Sequence, residues 1–162
     1  MGVTIRRTGK PYKFDASKVE KVIKAFVPGA IIRRTSKGIS STGSSFAPYR
    51  ESYQQALRRG GEDQAVDLRM TGGLINSIKV VSIDVSANSL RFVIAPDAGT
   101  SPSVSLAGGR AKRTGGRSPP HNVLGYWIEH GTSQMAARPF MGLTADEERQ
   151  LATLLDKAKL FG

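Results

Sequence analysis

At 162 residues the chain is the size of one domain, long enough to bury most of its apolar surface without covalent staples. It contains no cysteine, which excludes a disulfide framework, a thiolate metal site and a cysteine nucleophile and fits a reducing compartment. The formal net charge of +11 is unevenly spread: residues 1–37 hold ten Lys/Arg against two acids, 97–121 four against one, and 122–162 four against five. Such an asymmetry suits a polyanionic neighbour, nucleic acid or an acidic protein surface, and equally a basic face that is simply solvated. The N-terminal MGVTIRRTGKPYKFD lacks the apolar core of a secretory signal, and no later run approaches the length needed to span a bilayer, so a soluble protein is expected.

In chain order, Val3 to Phe14 holds short β-prone pieces around Gly9-Lys10-Pro11 and reads as a loose hairpin, or as an arm (1–14) that orders only against a partner. Residues 15–162 form a single domain. Asp15 to Val27 predicts a helix, with Val19, Val22, Ile23 and Phe26 on one face and Lys18, Lys21 and Lys24 opposite, stopped by Pro28-Gly29. Ser17 and Glu20 have capping-box spacing, with Asp15 as a competing cap. Gly38 to Ala47 is loop by composition, and Pro48 opens a short helix whose stripe is Tyr49, Tyr53 and Leu57. Asp67 to Ser77 predicts a further helix, in which Gly72-Gly73 costs roughly 1 kcal/mol per glycine.

The β pattern comes next. Val81, Ile83 and Val85 alternate with polar residues, and after Ala87-Asn88 so do Leu90, Phe92 and Ile94, giving an antiparallel hairpin with one buried face. In residues 97–121 Gly, Ser and Pro supply twelve of twenty-five positions around GGRAKRTGGR, which predicts a long, mobile basic loop. A helix at 123–130 succeeds it. Thr144 and Glu147 then form a capping box for a last helix, 145–159, with Leu151, Leu154, Leu155 and Ala158 on its face. The expected fold is α+β: a small antiparallel β-sheet centred on 79–96, packed against several α-helices, with an N-terminal arm and the basic loop.

Chemistry narrows by elimination. Ser44 in GSSFA lacks the second glycine and the preceding strand of a nucleophile elbow, GGRAKRTGGRS misses the Walker spacing, and no metal-ligand spacing is present. Glu129-His130 is better read as a helix end than as an acid/base pair, since a cation is favoured there. No catalytic residue, metal ligand or cofactor site is therefore assigned. The basic segments lack interleaved aromatics and match no nucleic-acid module, so they offer only phosphate-backbone affinity, carried by Arg110, Lys112, Arg113 and Arg117 towards DNA or an acidic surface.

Most of the remaining signal lies in Asn122 to Thr144, NVLGYWIEHGTSQMAARPFMGLT. Trp127, Ile128 and Phe140 are expected to be largely buried, Gly131 to allow the left-handed turn that ends a helix, and Pro139 to hold Arg138 extended. Arg138 is either one half of a buried ion pair, with Glu129, or an intersubunit contact. WIEHGTS followed by MAARPFM resembles the Gly-Thr-Ser and Ala-Arg-Pro-Phe signature of bacteriophage neck and tail-completion (head-tail joining) proteins, related to phage virion-morphogenesis proteins. The upstream GSSFAPYRESY, DLRMTGGLINSI and β-hairpin keep the same order, so that the likeness runs over roughly residues 15 to 160. The chain departs from that pattern in the basic segment 97–121 and in His130.

The resemblance implies a structural protein and not an enzyme: a homo-oligomeric ring in the neck or at the head-proximal tail end of a virion, assembled in the host cytoplasm. Its partners would be further copies of itself, connector- or portal-side and tail-tube-side proteins, and the packaged DNA backbone, with no membrane. Gly131, Thr132, Ser133, Arg138 and Phe140 become candidates for the subunit interface, and Arg138→Ala is expected to impair assembly more than folding. The arm and the 97–121 loop are expected to order on assembly. The rival reading is a free-standing basic nucleic-acid-binding protein, with an enzyme third.

Overall fold

The computed structural model describes residues 2–6, 15–60, 66–68, 72–86, 89–100, 102–105, 112–117 and 119–157. Its elements are β1 (Gly2–Arg6), α1 (Ala16–Thr35), α2 (Glu51–Gly60), α3 (Gly73–Asn76), β2 (Ile78–Ser86), β3 (Ser89–Pro96), β4 (Pro102–Ser105), β5 (Lys112–Arg117), α4 (His121–His130) and α5 (Ala145–Lys157). The fold is α+β. A three-stranded antiparallel sheet of order β1-β3-β2 packs against the helices, and β4 and β5 form a separate two-stranded ribbon.

α1 starts where its cap dictates: the Asp15 side chain accepts from Lys18 N at 3.2 Å, so Asp15 and not Ser17 is the N-cap. It does not stop at Pro28-Gly29. Proline inside a helix costs about 3 kcal/mol. Beyond it, however, Ala30 and Ile31 enter the core and Arg34 reaches buried hydrogen-bond partners, and a single fully buried isoleucine is worth about 1.5–3 kcal/mol. Tertiary burial therefore carries the helix through its proline to Thr35.

The expected helix at 67–77 contracts to one turn. Leu68 has φ 58° and Gly72 φ 70°, neither of them helical, and among the described residues of this stretch the helix is Gly73–Asn76. What survives is the part that buries Leu74 and Ile75.

The hairpin forms at its predicted place, with a correction inside it. β2 carries a bulge: Val80 pairs with Ile94 and Ser82 with Val93, leaving Val81 as the extra residue. A one-residue slip reverses which face each side chain takes. Ile78 and Val80 thereby share the core side with Ile83 and Val85, and Val81, expected to be buried with them, is 58% exposed. Leu90, Phe92 and Ile94 of β3 all face inward as the alternation predicts.

Two segments expected to lack structure of their own are paired. Gly2–Arg6 of the supposed arm is a strand, Val3 opposite Phe92 and Ile5 opposite Leu90; residues 7–14 lie outside the described residues. Within 97–121 the β4/β5 ribbon replaces the structureless loop, with Ser103 opposite Thr114 and Val104 opposite Arg113. One core results: Val19, Ile23, Val27 and Ile31 of α1 meet Phe92 and Ile94, Ile128 of α4, Phe140, and Leu151 and Leu155 of α5. No helix of the described residues is long and apolar enough to cross a membrane.

Candidate functional site

The stretch that carries the resemblance is built around the end of α4. Gly131 succeeds the last helical residue at φ 76°, ψ 176°, a backbone region that is essentially reserved for glycine, and its N–H closes on Trp127 O at 2.7 Å. A Cβ here would lie 2.8 Å from Ala137 N and 2.9 Å from Met135 O. The missing side chain thus lets the return strand run flush against the turn. Thr132 and Met135 pair across the tip, with Thr132 N donating to Met135 O at 2.8 Å, and Arg138 N caps the helix by donating to Ile128 O at 2.7 Å.

Three buried charged side chains fasten the chain on its way from this turn into α5. Arg138, 2% exposed, donates from Nε to Ala47 O at 2.8 Å, from Nη2 to Pro48 O at 2.8 Å and from Nη1 to Ala136 O at 3.2 Å. Its guanidinium carbon lies 4.8 Å from the centre of the Tyr49 ring. Glu129, 4% exposed, accepts the N–H groups of Phe140 and Met141 on one carboxylate oxygen at 2.8 and 2.9 Å. Arg34, arriving from the end of α1, donates to Phe140 O at 2.7 Å and pairs with Glu147. Glu147 is at the same time the second half of the Thr144 capping box, accepting Thr144 N at 2.8 Å while its own N–H donates to Thr144 Oγ1 at 3.3 Å. Both polar backbone groups of Phe140 are therefore held, the N–H by a carboxylate and the C=O by a guanidinium.

Burial has its expected electrostatic effects. It pushes the Tyr49 phenol up to about 12, with neighbouring Tyr53 adding to the rise and Arg138 opposing it. Desolvation also weakens the hold of Arg138 on its proton, which Tyr49 and Tyr53 partly offset.

On the other side of α4 sits a looser arrangement. Asp97 leaves β3 and His121 opens α4, so the pair brackets the ribbon. The His121 Nδ1 lies 3.1 Å from Asp97 Oδ1, which also accepts Gly99 N at 2.9 Å, while Lys79 Nζ reaches Oδ2 at 3.3 Å. His121, the Gly99 amide and Lys79 together hold the Asp97 carboxyl below the usual carboxylate range. Among the described residues no group of three His, Cys, Asp or Glu is placed to hold a metal ion.

The structure sorts the predicted residues. Thr132 and Ser133 are exposed at the tip and Gly131 is half-buried beneath them, so these can meet a neighbour. Arg138 and Phe140 cannot, because both are buried within the chain. The proposed ion pair also fails: Arg138 and Glu129 bind backbone on separate sides of the loop, and main-chain carbonyls and amides stand where a counter-ion was expected. Ile128 and Phe140 are buried as predicted, but Trp127 is 40% exposed, since Gly125, pressed onto Pro96, puts the opposite face of α4 against the sheet. Lys112, Arg113 and Arg117 fall on β5, and Arg110 lies outside the described residues. Sequence reasoning missed Arg34, Tyr49 and the Asp97–His121 pair. Arg34 had a legible signal in its place one turn beyond Ile31 on the buried side of α1; for the others the partners lie 24 or more positions away in the chain.

Comparison with protein-family models, with curated proteins and with solved structures finds no match for this chain.

Proposed function

We propose that the chain is a structural virion protein of a tailed bacteriophage, forming a ring in the neck or at the tail end that completes the tail and joins it to the head connector around the DNA channel. The observation that carries this reading is the use the chain makes of its signature residues. Glycine, Arg-Pro-Phe and the acid before the turn all serve to hold one loop, and the residues exposed at its tip, Thr132, Ser133 and Gln134, have the character of a contact and not of a reaction centre. A ring arises from a head-to-tail contact that closes on itself, and such a contact needs a tip that does not bend. Lys112, Arg113 and Arg117 lie in the sequence of β5 and would offer positive charge to packaged DNA or to an acidic neighbour.

The same ribbon favours the second reading, a free-standing nucleic-acid-binding protein, because a two-stranded antiparallel ribbon has the width that a DNA major groove admits. One experiment separates the two. Disrupting the gene in a phage that carries it is expected to leave filled heads and unattached tails under the electron microscope, restored by the wild-type chain. Normally joined particles that lack the protein would sink the structural reading, and binding to duplex DNA that collapses with added salt would then favour the other.

A further inference from the structure

The turn at residues 131–137 contains no charged residue of its own, yet one guanidinium is fixed to it. Arg50, the exposed residue just before α2, crosses to the tip, donating from Nη1 to Gln134 Oε1 at 2.9 Å and from Nη2 to the Ser133 carbonyl at 3.1 Å. Both acceptors are neutral. Among the described residues Arg50 pairs with no acid: Glu51, next in the chain, accepts from Gln55 Nε2 at 3.2 Å, and Glu129, the acid before the turn, is buried and accepts backbone N–H groups. The placement does not depend on these two bonds alone, because Arg138 ties Ala47 and Pro48, just upstream of Arg50, to the same loop.

An exposed arginine ordinarily loses side-chain freedom when a ligand fixes it, whereas Arg50 is held in place beforehand. Among the described residues its Nε and the remaining hydrogen on each Nη have no acceptor, and a planar fork of this kind matches the two oxygens of a carboxylate. Phosphate would match it as well, but a nucleic acid binds through many cations at once, and the tip offers one, set among the neutral side chains of Thr132, Ser133 and Gln134. The net charge of +11 disfavours another copy of this chain here and favours an acidic protein. We propose that Arg50 and the tip are the docking point for an acidic segment of a different protein, one carboxylate of which takes the remaining N–H groups of Arg50 while Thr132 and Ser133 meet its polar groups. The proposal rests on the reading of the tip as a contact, and gives it a partner of a second kind beside the copies of the ring.

The test is an NMR titration of the full-length, isotope-labelled chain with a blocked tetraglutamate peptide at physiological salt. The Arg50 Nε–H signal and the backbone amides of Ser133 and Gln134 should shift together and saturate. Arg50→Gln, at an exposed position, should keep the fold by circular dichroism and weaken the peptide's effect on the Ser133 and Gln134 amides by about fivefold, as loss of an exposed ion pair of good geometry does. Arg50→Lys should fall between the two, since it keeps the charge and loses the fork. Lys21→Gln removes the same charge from the exposed face of α1 and should leave binding at the tip unchanged. The proposal is overturned if Arg50→Gln takes the peptide like wild type, if the peptide moves the lysines of α1 and leaves Arg50 in place, or if a short DNA duplex of equal charge moves Arg50 as far as the peptide does. It is also overturned if the chain self-associates without the peptide and Arg50→Gln abolishes that association, which would make a second copy the occupant. The neck reading is judged separately, by presence in particles: a chain found in virions whose Arg50→Gln variant binds the peptide unchanged fails here alone, and one that takes the peptide at Arg50 but never enters a particle fails there alone.

Discussion

α4 separates two excursions that are held in opposite ways. The segment after it, 131–144, turns on a glycine and is fastened by buried charged groups whose bonds run to backbone in distant parts of the chain: Arg138 to Ala47 and Pro48, Glu129 to Phe140 and Met141, Arg34 to Phe140. Of the segment before it, 97–120, the described ends meet in a partly exposed cluster of Asp97, His121, Lys79 and the Gly99 amide. Buried bonds to charged groups stabilise by about 1.5–3 kcal/mol each, whereas exposed pairs contribute about 0–1. The first excursion is thus part of the folding unit, whereas the described ends of the second are joined by the weaker, partly exposed kind of bond.

The contrast can be broken most severely at Arg138. Replacing it with alanine removes three hydrogen bonds and the cation over Tyr49, and should lower the unfolding free energy by about 4 kcal/mol in chemical denaturation. Arg138→Lys should restore less than half of that, because an ammonium cannot reproduce a planar fork that spans two carbonyls. The effect falls on folding first and on assembly as a consequence. An Arg138→Ala chain as stable as wild type would show that the tip is held by packing alone.

Gly131→Ala should come next, at about 3 kcal/mol, combining a backbone conformation that alanine avoids with overlap against the backbone of Met135 and Ala137. Neither of these neighbours is a flexible side-chain end that can swing aside. Suppression of the loss by a second change in the tip, such as deletion of Gln134, would show that the strain lies in the return of the chain and not in the helix end.

How much of this was legible depends on the range of the interaction. The Thr144–Glu147 box, the inward face of β3 and the α+β class were written in spacings of two to four residues and appear where expected, while at the start of α1 the competing cap, Asp15, replaces the Ser17–Glu20 box. Errors arise where a local signal is outvoted by something remote. Pro28 reads as a stop until Ile31 and Arg34 are seen to be buried beyond it, and the alternation in β2 reads true until the bulge at Val81 resets its parity. In the candidate site, the glycine turn and the buried Phe140 were readable, while the role of Arg138 was not. An arginine that satisfies carbonyls 90 and 91 positions upstream leaves no pattern in its own neighbourhood. Trp127 misled for a related reason, since a helix with apolar residues on both faces does not declare which one the sheet will cover.

The smallest expected effect lies at the ribbon's neck, and there the sign is set by Asp97. Its carboxyl sits below the ordinary 3.8 because the ionised form accepts from His121 first, then from the Gly99 amide and Lys79. A depressed carboxyl stabilises the fold fully above the ordinary carboxylate range, and that contribution disappears as the pH falls through the depressed value. Acidification should therefore loosen the neck in a step below pH 3.8, visible by NMR as movement of the Gly99 amide proton when its acceptor is protonated. Lys79→Ala should move that step upward, towards the ordinary value, since one of the groups favouring the anion is gone. Through the same range the amides of Phe140 and Met141 should stay protected from exchange, because their loop is fastened independently by Arg34 and Arg138. Loss of protection at Phe140 in step with Gly99 would mean that the two excursions open as one unit, and that α4 couples them instead of insulating one from the other.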